Sequence, residues 1–449
     1  MALTGLDIFK LLPKTNCGEC GFPTCMAFSM KLAVSQVNVD ECPYISEEAK
    51  ETIGTATAPP IRKVTIGTGD AALVVGEETV MFRHEKTFVH PPGIGILIED
   101  TSDESEIASK AKKVDDVSFE RVEQQLKPKI VAVKASSGDP ETFVKAIKKV
   151  SEATKAALVL VSEDPDIIKA ALNEIAESKP LIYAATIDNH EAMAALANEF
   201  SVPLAIKADG LEKLTELSEK ITAAGVKDLV LDPGTDIGND YLRDVTYIRR
   251  AALKLKLKPL GYPIITMLAD ATDDPELEMV LAGLYIMRYA GVIVLNDLDP
   301  ARILPLMVLL QNIYTDPQKP MQMSQGIYPV GDASEDSPVL ITTNFSLTYF
   351  IVSGEIEASK VPSWLCVMDV EGLSVLTAWA AGKFIPEGIA KFISESEIGE
   401  KVKHRKLVVP GYVSQISGEL DDELSDWSVD VGPREAGDLV NYLKQWSPN

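Results

Sequence analysis

Histidine is scarce in this chain: four residues among 449, at positions 84, 90, 190 and 404. None is spaced for a metal site, and His84 and His90 read as ordinary polar loop residues, so histidine-based chemistry has little to work with. Aromatic side chains are also few, 6% against 46% hydrophobic overall. The interior must therefore be Ala, Val, Ile and Leu, the filling of α/β layers. Positive charge is in the minority, 43 basic to 67 acidic residues and a net charge of −24, which repels phosphate backbones and anionic membranes. Nucleic acid and membrane partners are excluded on that ground. No apolar run approaches the roughly 20 residues of a membrane span. The first ten residues are too short and too polar for export, so the expected location is the cytoplasm.

Cysteine is sparse but unevenly placed. Of five, four lie at Cys17, Cys20, Cys25 and Cys42, a C-x2-C-x4-C-x16-C spacing with Pro43 directly after the last. One site could bind all four sulfurs. Gly18 and Gly21 allow positive φ and leave amides free to face sulfur. A disulfide framework is disfavoured without an export signal. A structural zinc site needs only four cysteines, but zinc ribbons pair two separate C-x2-C knuckles and one is present. The spacing and the closing proline favour a [4Fe-4S] cluster. A low-potential cluster further points to an anaerobic cell.

Taken in order, residues 1–57 read as a cluster domain with helices at 6–12, 26–36 and 46–53. A small, proline-ended linker follows at 55–60. Short β runs are expected at 64–66, 72–75 and 79–82 within a 58–92 connecting segment. Gly67-Thr68-Gly69 superficially fits a dinucleotide fingerprint, but a strand follows where a helix is required. Between 93 and 321 apolar runs recur at 94–98, 130–133, 157–161, 181–184, 203–206, 228–231, 264–267 and 292–295. Amphipathic segments such as 140–154, 165–177, 190–198, 211–223 and 275–289 lie between them. Eight buried strands joined by helices predict a closed (β/α)8 barrel, an open parallel sheet being the alternative. Its strand ends, Glu99-Asp100, Lys134, Ser162-Glu163, Thr186, Lys207, Asp232, Thr266 and Asn296-Asp297, are polar without forming a histidine–carboxylate constellation. Independent catalysis there is not expected.

Residues 322–449 read as a third, doubly wound Rossmann-like unit. Strands are expected at 339–342, 365–369, 406–409 and 427–431, with helices at 347–357, 375–381, 387–394 and 434–446. Ligands of such a sheet bind in the loops after strand C-termini. Those loops carry hydroxyls, small residues and apolar side chains with almost no charge. They suit a large, flat, amide-fringed ligand such as a corrin, and equally a ligand-free module with polar turns. Cys366, inside an apolar strand, reads as a small buried hydrophobe.

Leu12-Pro13, Asn16-Cys17-Gly18-Glu19-Cys20-Gly21, Pro23-Thr24-Cys25 and Cys42-Pro43 resemble the four-iron domain opening the large (gamma) subunit of corrinoid iron-sulfur proteins of acetyl-CoA synthesis. Residues 338–349, 372–379 and 432–436 resemble that subunit's C-terminal domain, so the resemblance spans essentially the whole chain. It implies a [4Fe-4S] cluster on Cys17, Cys20, Cys25 and Cys42. It also implies a corrinoid held by Thr342, Thr343, Asn344, Phe345, Ser346 and Leu347, and by Gly372, Leu373, Ser374, Val375, Leu376, Thr377, Ala380 and Gly382. Pro410, Gly411, Gly432, Pro433, Arg434, Glu435 and Ala436 complete that set. The Asp-x-His-x-x-Gly motif of many cobalamin domains is absent, so cobalt is expected base-off without a protein histidine, with Thr377 its lower neighbour.

The function so implied is a methyl-group carrier of the reductive acetyl-CoA route of carbon fixation, taking part in methyltransferase reactions rather than acting as an independent catalyst. A Co(I) corrinoid would accept a methyl from methyltetrahydrofolate through a separate methyltransferase and deliver it to the nickel site of acetyl-CoA synthase. The cluster would reductively reactivate Co(II). Partners so implied are a small subunit forming a heterodimer, the methyltransferase, acetyl-CoA synthase and a low-potential donor such as ferredoxin. Two alternatives from other classes are an iron-sulfur electron-transfer protein without corrinoid and a pterin-dependent methyltransferase using the barrel.

Overall fold

The computed structural model describes residues 4–33, 37, 39–57 and 59–448. Two compact units emerge, Met1–Ser118 with Lys127–Tyr314, and Phe119–Leu126 with Thr315–Asn449.

The first unit opens with three helices, Gly5–Leu11, Cys25–Ala33 and Glu47–Thr57. Thr4 and Asp7 start the first by a reciprocal capping box. The second begins one residue before its expected start, and its expected end at 34–36 lies outside the described residues. The third continues past 53 into the stretch read as a linker. Ile8, Phe28, Leu32, Ile45 and Ile53 make a small core that includes Cys25 and Cys42.

Next comes an antiparallel hairpin, β1 (Val64–Ile66) and β2 (Leu73–Val75). Its Val64, Ile66, Leu73 and Val75 share an apolar cluster with Ile130, Ala157, Leu181 and Val292, which stand at or near the starts of barrel strands. The hairpin therefore plugs the N-terminal end of the barrel. The strand expected at 79–82 does not form, because side chains occupy its backbone groups. Glu85 accepts from Met81 N–H and Phe82 N–H, and Arg249 Nε donates to the Val80 carbonyl at 3.0 Å.

The barrel is β3 (Gly93–Glu99), then, past a hairpin β4 (Phe119–Arg121) and β5 (Gln124–Leu126), β6 (Ile130–Lys134), β7 (Ala157–Val161) and β8 (Leu181–Ala185). β9 (Leu204–Lys207), β10 (Leu229–Asp232), β11 (Ile264–Met267) and β12 (Ala290–Leu295) complete it. All eight expected strands form, in chain order, and β12 pairs in parallel with β3 to close the ring. That pairing excludes the open sheet. Four Asp-Pro dipeptides start helices at the strand C-terminal end: Asp139, Asp164, Asp274 and Asp299 each accept a first-turn amide, with proline at the first helical position where no N–H is needed.

The second unit recruits the β4–β5 hairpin, whose Glu123 accepts from Ser324 Oγ at 2.5 Å and Tyr328 OH at 2.7 Å. Its sheet contains β13 (Gly326–Val330), β14 (Val339–Thr343), β15 (Ser363–Met368), β16 (Lys406–Val409) and β17 (Ser428–Val431), in the order β13-β15-β14-β16-β17. β13 runs antiparallel at the edge, where Pro329 costs no ladder bond. The other four are parallel, and helices cover both faces. The sheet is doubly wound, as the loop and strand pattern predicts. The final helix is shorter than expected, Leu439–Gln445, leaving 434 and 435 in a loop.

Arg249 and Glu78 pair at 3.0 Å with side chains only 4% and 9% exposed, and the guanidinium lies 4.8 Å from the Tyr289 ring centre. Removing the cation strands a buried carboxylate. Arg249→Met is expected to destabilise the first unit by about 3 kcal/mol or more, read from denaturant unfolding followed by circular dichroism.

Candidate functional site

Among the four parallel strands of the second unit, the order reverses between β14 and β16, and a crevice opens where successive crossovers diverge. A cavity of about 330 Å³ occupies that place. Leu340 and Thr342 of β14 and Val408 of β16 form its floor, and Ile351 and Val352 of the helix Ser346–Ser359 form one wall. Pleating directs Leu340 and Thr342 to this face, while Val339 and Ile341 join the core on the other.

Thr342 is 1% exposed, lines the cavity, and its hydroxyl has no hydrogen-bond partner. A buried hydroxyl left unpaired costs roughly 1–3 kcal/mol, so the position is built at the expense of the empty fold. Large apolar residues stand exposed nearby on the elements that line the cavity: Leu347, Ile351, Leu376, Trp379 and Tyr412. Charge is confined to Arg434 and Glu435, and Glu435 accepts from Tyr412 OH.

Ten of the residues read from sequence line this cavity: Thr342, Ser374, Val375, Leu376, Pro410, Gly432, Pro433, Arg434, Glu435 and Ala436. The others surround it without lining it. Thr343 is fully buried on the opposite face of β14, its hydroxyl also unpartnered. Phe345, Ser346 and Leu347 open the following helix, and Gly372 and Leu373 belong to a turn. Thr377 is exposed, its hydroxyl 2.9 Å from that of Ser374. Ala380 and Gly382 lie exposed at the far end of the helix Val375–Ala380, and Gly411 is buried. Asn344 is buried, with its amide consumed by the protein. Sequence reading missed Leu340, Ile341, Thr348, Ile351, Val352, Val408, Val409 and Leu439, while Tyr412 lies in the loop after β16 that it did single out. The readable signal was the helix Ser346–Ser359, whose apolar residues continue round more of its surface than one buried stripe requires.

No histidine lines the cavity. His404, the one histidine of the second unit, bonds Ser337 O at 2.8 Å and accepts from Lys406 N–H, at the strand-start end of the sheet. His90 pairs with Glu77 at 2.7 Å, His190 meets the Ile187 carbonyl, and His84 stacks on Phe82.

Among the N-terminal helices and the loops joining them, Cys25 and Cys42 are buried, Cys20 is half-buried against the same core and Cys17 is exposed. Asn16 N–H donates to Cys25 Sγ at 3.4 Å, and Asn16 Oδ1 accepts Cys25 N–H at 2.8 Å. Gly18 and Gly21 take φ of +78° and +80°, the left-handed conformation read from the motif. Cys25 heads its helix, the end whose free amides favour negative charge. Among the described residues, no three His, Cys, Asp or Glu side chains stand together as a metal-binding group. The fit to an iron-sulfur centre therefore rests on the donor set and the loop conformation.

At the barrel mouth several of the polar strand ends are engaged by side chains of neighbouring loops and helices. Lys134 meets Asp270 at 2.6 Å and Lys113 meets Asp297 at 2.5 Å. Tyr183 OH donates to Asp232 at 2.6 Å, and burial raises both groups above their ordinary ranges. Ser137 donates to Asp100 by hydroxyl and amide, and Glu278 accepts from Asn296. This network is consistent with a scaffold.

A family model described as CO dehydrogenase/acetyl-CoA synthase delta subunit matches residues 63–443. The corrinoid/iron-sulfur protein large subunit of Moorella thermoacetica is 45% identical over 444 residues, 99% of either chain. The chain belongs to this family. Its archaeal members include the acetyl-CoA decarbonylase/synthase complex gamma subunits of Methanopyrus kandleri and Archaeoglobus fulgidus, each 36% identical over 99% of this chain and 98% of their own. A second model, named "Putative Fe-S cluster", matches residues 12–44, which hold all four N-terminal cysteines. Among solved structures, a Thermus thermophilus dihydropteroate synthase aligns with 57% of this chain and 100% of its own at 15% identity and a TM-score of 0.39, too low to bear on function. No helix among the described residues is long and apolar enough to cross a membrane.

Two expectations follow from the buried Thr342 and Cys366 of the second unit's sheet. Thr342→Val removes an unpaired hydroxyl without changing shape, so the ligand-free chain should become more stable by about 1 kcal/mol, measured by chemical denaturation. Cys366 is fully buried and its thiol is pushed up to about 12 by burial. It should resist iodoacetamide at pH 8 in the folded chain and react once the chain is unfolded, as peptide mass spectrometry can show.

Proposed function

We propose that this chain is the corrinoid-bearing methyl carrier of an acetyl-CoA-forming complex. The observation that carries the reading is the cavity at the strand-order reversal, with an unpartnered Thr342 hydroxyl inside and exposed apolar side chains nearby. A corrin is a broad apolar ring fringed by amides, and it needs an apolar bed with hydroxyl and backbone partners. Leu376, Tyr412 and Ile351 suit the bed; Thr342, Ser374 and the backbone of 432–436 suit the amides. Bound there, a corrinoid supplies a cobalt centre able to take up and release a methyl group.

The lack of a histidine on the cavity supports base-off binding, which eases access to Co(I) because a nitrogen ligand favours the higher oxidation states. Thr377, one residue beyond the cavity-lining run 374–376, keeps its assignment as lower neighbour. Cys17, Cys20, Cys25 and Cys42 would hold a [4Fe-4S] cluster, which supplies single electrons at low potential. The amide of Asn16 and the positive-φ turns at Gly18 and Gly21 would help neutralise sulfur charge. On this reading the methyl donor is methyltetrahydrofolate on a separate methyltransferase and the acceptor is the nickel site of acetyl-CoA synthase. A small subunit completes a heterodimer, and a ferredoxin-type donor recharges the cluster in the cytoplasm.

Protein purified anaerobically with its small subunit should contain both cobalt and iron by elemental analysis; iron without cobalt would point to plain electron transfer and overturn the carrier. Cys20→Ala should abolish reductive reactivation while leaving methyl transfer from pre-reduced protein largely intact, measured by separate single-turnover assays. Loss of both steps in a folded, corrinoid-loaded variant contradicts that division of roles.

A further inference from the structure

The turn between β15 and the helix Val375–Ala380 delivers Ser374, Val375 and Leu376 to the cavity wall, and it is not a relaxed one. Glu371 and Gly372 are both left-handed, with φ of +59° and +72°, and a non-glycine residue holds that conformation only when its surroundings impose it. At the turn's centre is a buried amide, Asn344, assisted by the Asp369 carboxylate. Asn344 Oδ1 accepts from Val370 N–H at 3.1 Å and from Gly372 N–H at 3.0 Å, while Nδ2 donates to Asp369 Oδ1 at 2.9 Å and to Gln322 Oε1 at 3.3 Å. Its main chain is bound as well, N–H to the Met368 carbonyl and C=O to Met323 N–H. Asp369 Oδ1 also accepts Glu371 N–H at 2.9 Å, and Gln325 Oε1 takes Asp369 N–H at 3.0 Å. Every polar atom of Asn344 is committed to the protein, which leaves nothing with which to contact a cofactor.

We propose that Asn344, read from sequence as a corrinoid contact, is instead a positioning residue. It fixes the strained 369–373 turn and through it sets where Ser374, Val375 and Leu376 meet the ligand. The proposal rests on the corrinoid reading of the cavity. An amide is required because Oδ1 must accept twice while Nδ2 faces the carboxylate of Asp369; a carboxylate at 344 keeps the acceptor but sets two negative charges against each other.

The test uses the full chain, freed of corrinoid, with cob(II)alamin added anaerobically and its affinity read by equilibrium dialysis. Hydrogen exchange at Val370 and Gly372 in the unloaded chain gives a second readout. Asn344→Asp should weaken binding on the order of tenfold or more and accelerate exchange at both amides. Unchanged affinity or unchanged exchange in folded Asn344→Asp overturns the proposal. If Asn344→Asp does not fold, Gln325→Ala decides from the exposed side of the same turn: faster exchange with weaker binding supports the proposal, and faster exchange with unchanged affinity overturns it. If the unmodified chain takes up no cob(II)alamin, the corrinoid reading fails, while the exchange arm still reports whether Asn344 holds the turn.

Discussion

A parallel strand can be reached only by a crossover, and where crossovers leave a sheet in opposite directions no element covers the gap between the two strands. That constraint governs both units of this chain. In the first, eight strands follow one another in order and β12 closes on β3, so no reversal exists and the interior fills with side chains. In the second, the order reverses between β14 and β16, and the loops after the strand C-termini border an open crevice. The same strand–helix alternation thus produces a packed barrel and an open cavity.

Charge follows the same division. The barrel mouth is rich in lysine and aspartate but pairs them in Lys134–Asp270 and Lys113–Asp297, while Tyr183 OH donates to Asp232. The crevice of the second unit is almost free of charge and has the opposite imbalance, a hydroxyl with no partner and apolar side chains in solvent. A ligand that relieves both must be apolar over a broad face and polar at its edges. Thr342 and Asn344, two residues apart, illustrate how differently buried polar residues can serve such a site. One is left open toward the cavity; the other is closed on itself and holds the turn that shapes the wall.

Much of this was legible in the residues. The eight apolar runs were found because β-strands buried on both sides read as continuous Val, Ile and Leu, and the helix starts because Asp-Pro is locally sufficient to cap and begin a helix. The cysteine loop and its glycines were legible for the same reason: spacing and positive φ are local properties. The edge strand β13 and the β4–β5 hairpin were not, since neither has enough length or alternation to stand apart from loop. The strand expected at 79–82 failed because Glu85 and Arg249, the latter distant in sequence, claimed its backbone.

The sequence by itself determined the barrel strands, their order, the donor set at the N-terminus and the family, all of which depend on local pattern or on identity along the chain. Tertiary structure alone decided that Thr342 faces a cavity while Thr343 turns to the opposite face, that Thr348 and Ile351 join the site from a helix, and that Asn344 has no atom left for a ligand. These outcomes depend on which side of a pleat meets the reversal in strand order and on who reaches a buried donor first, and neither is written in any one segment of the chain.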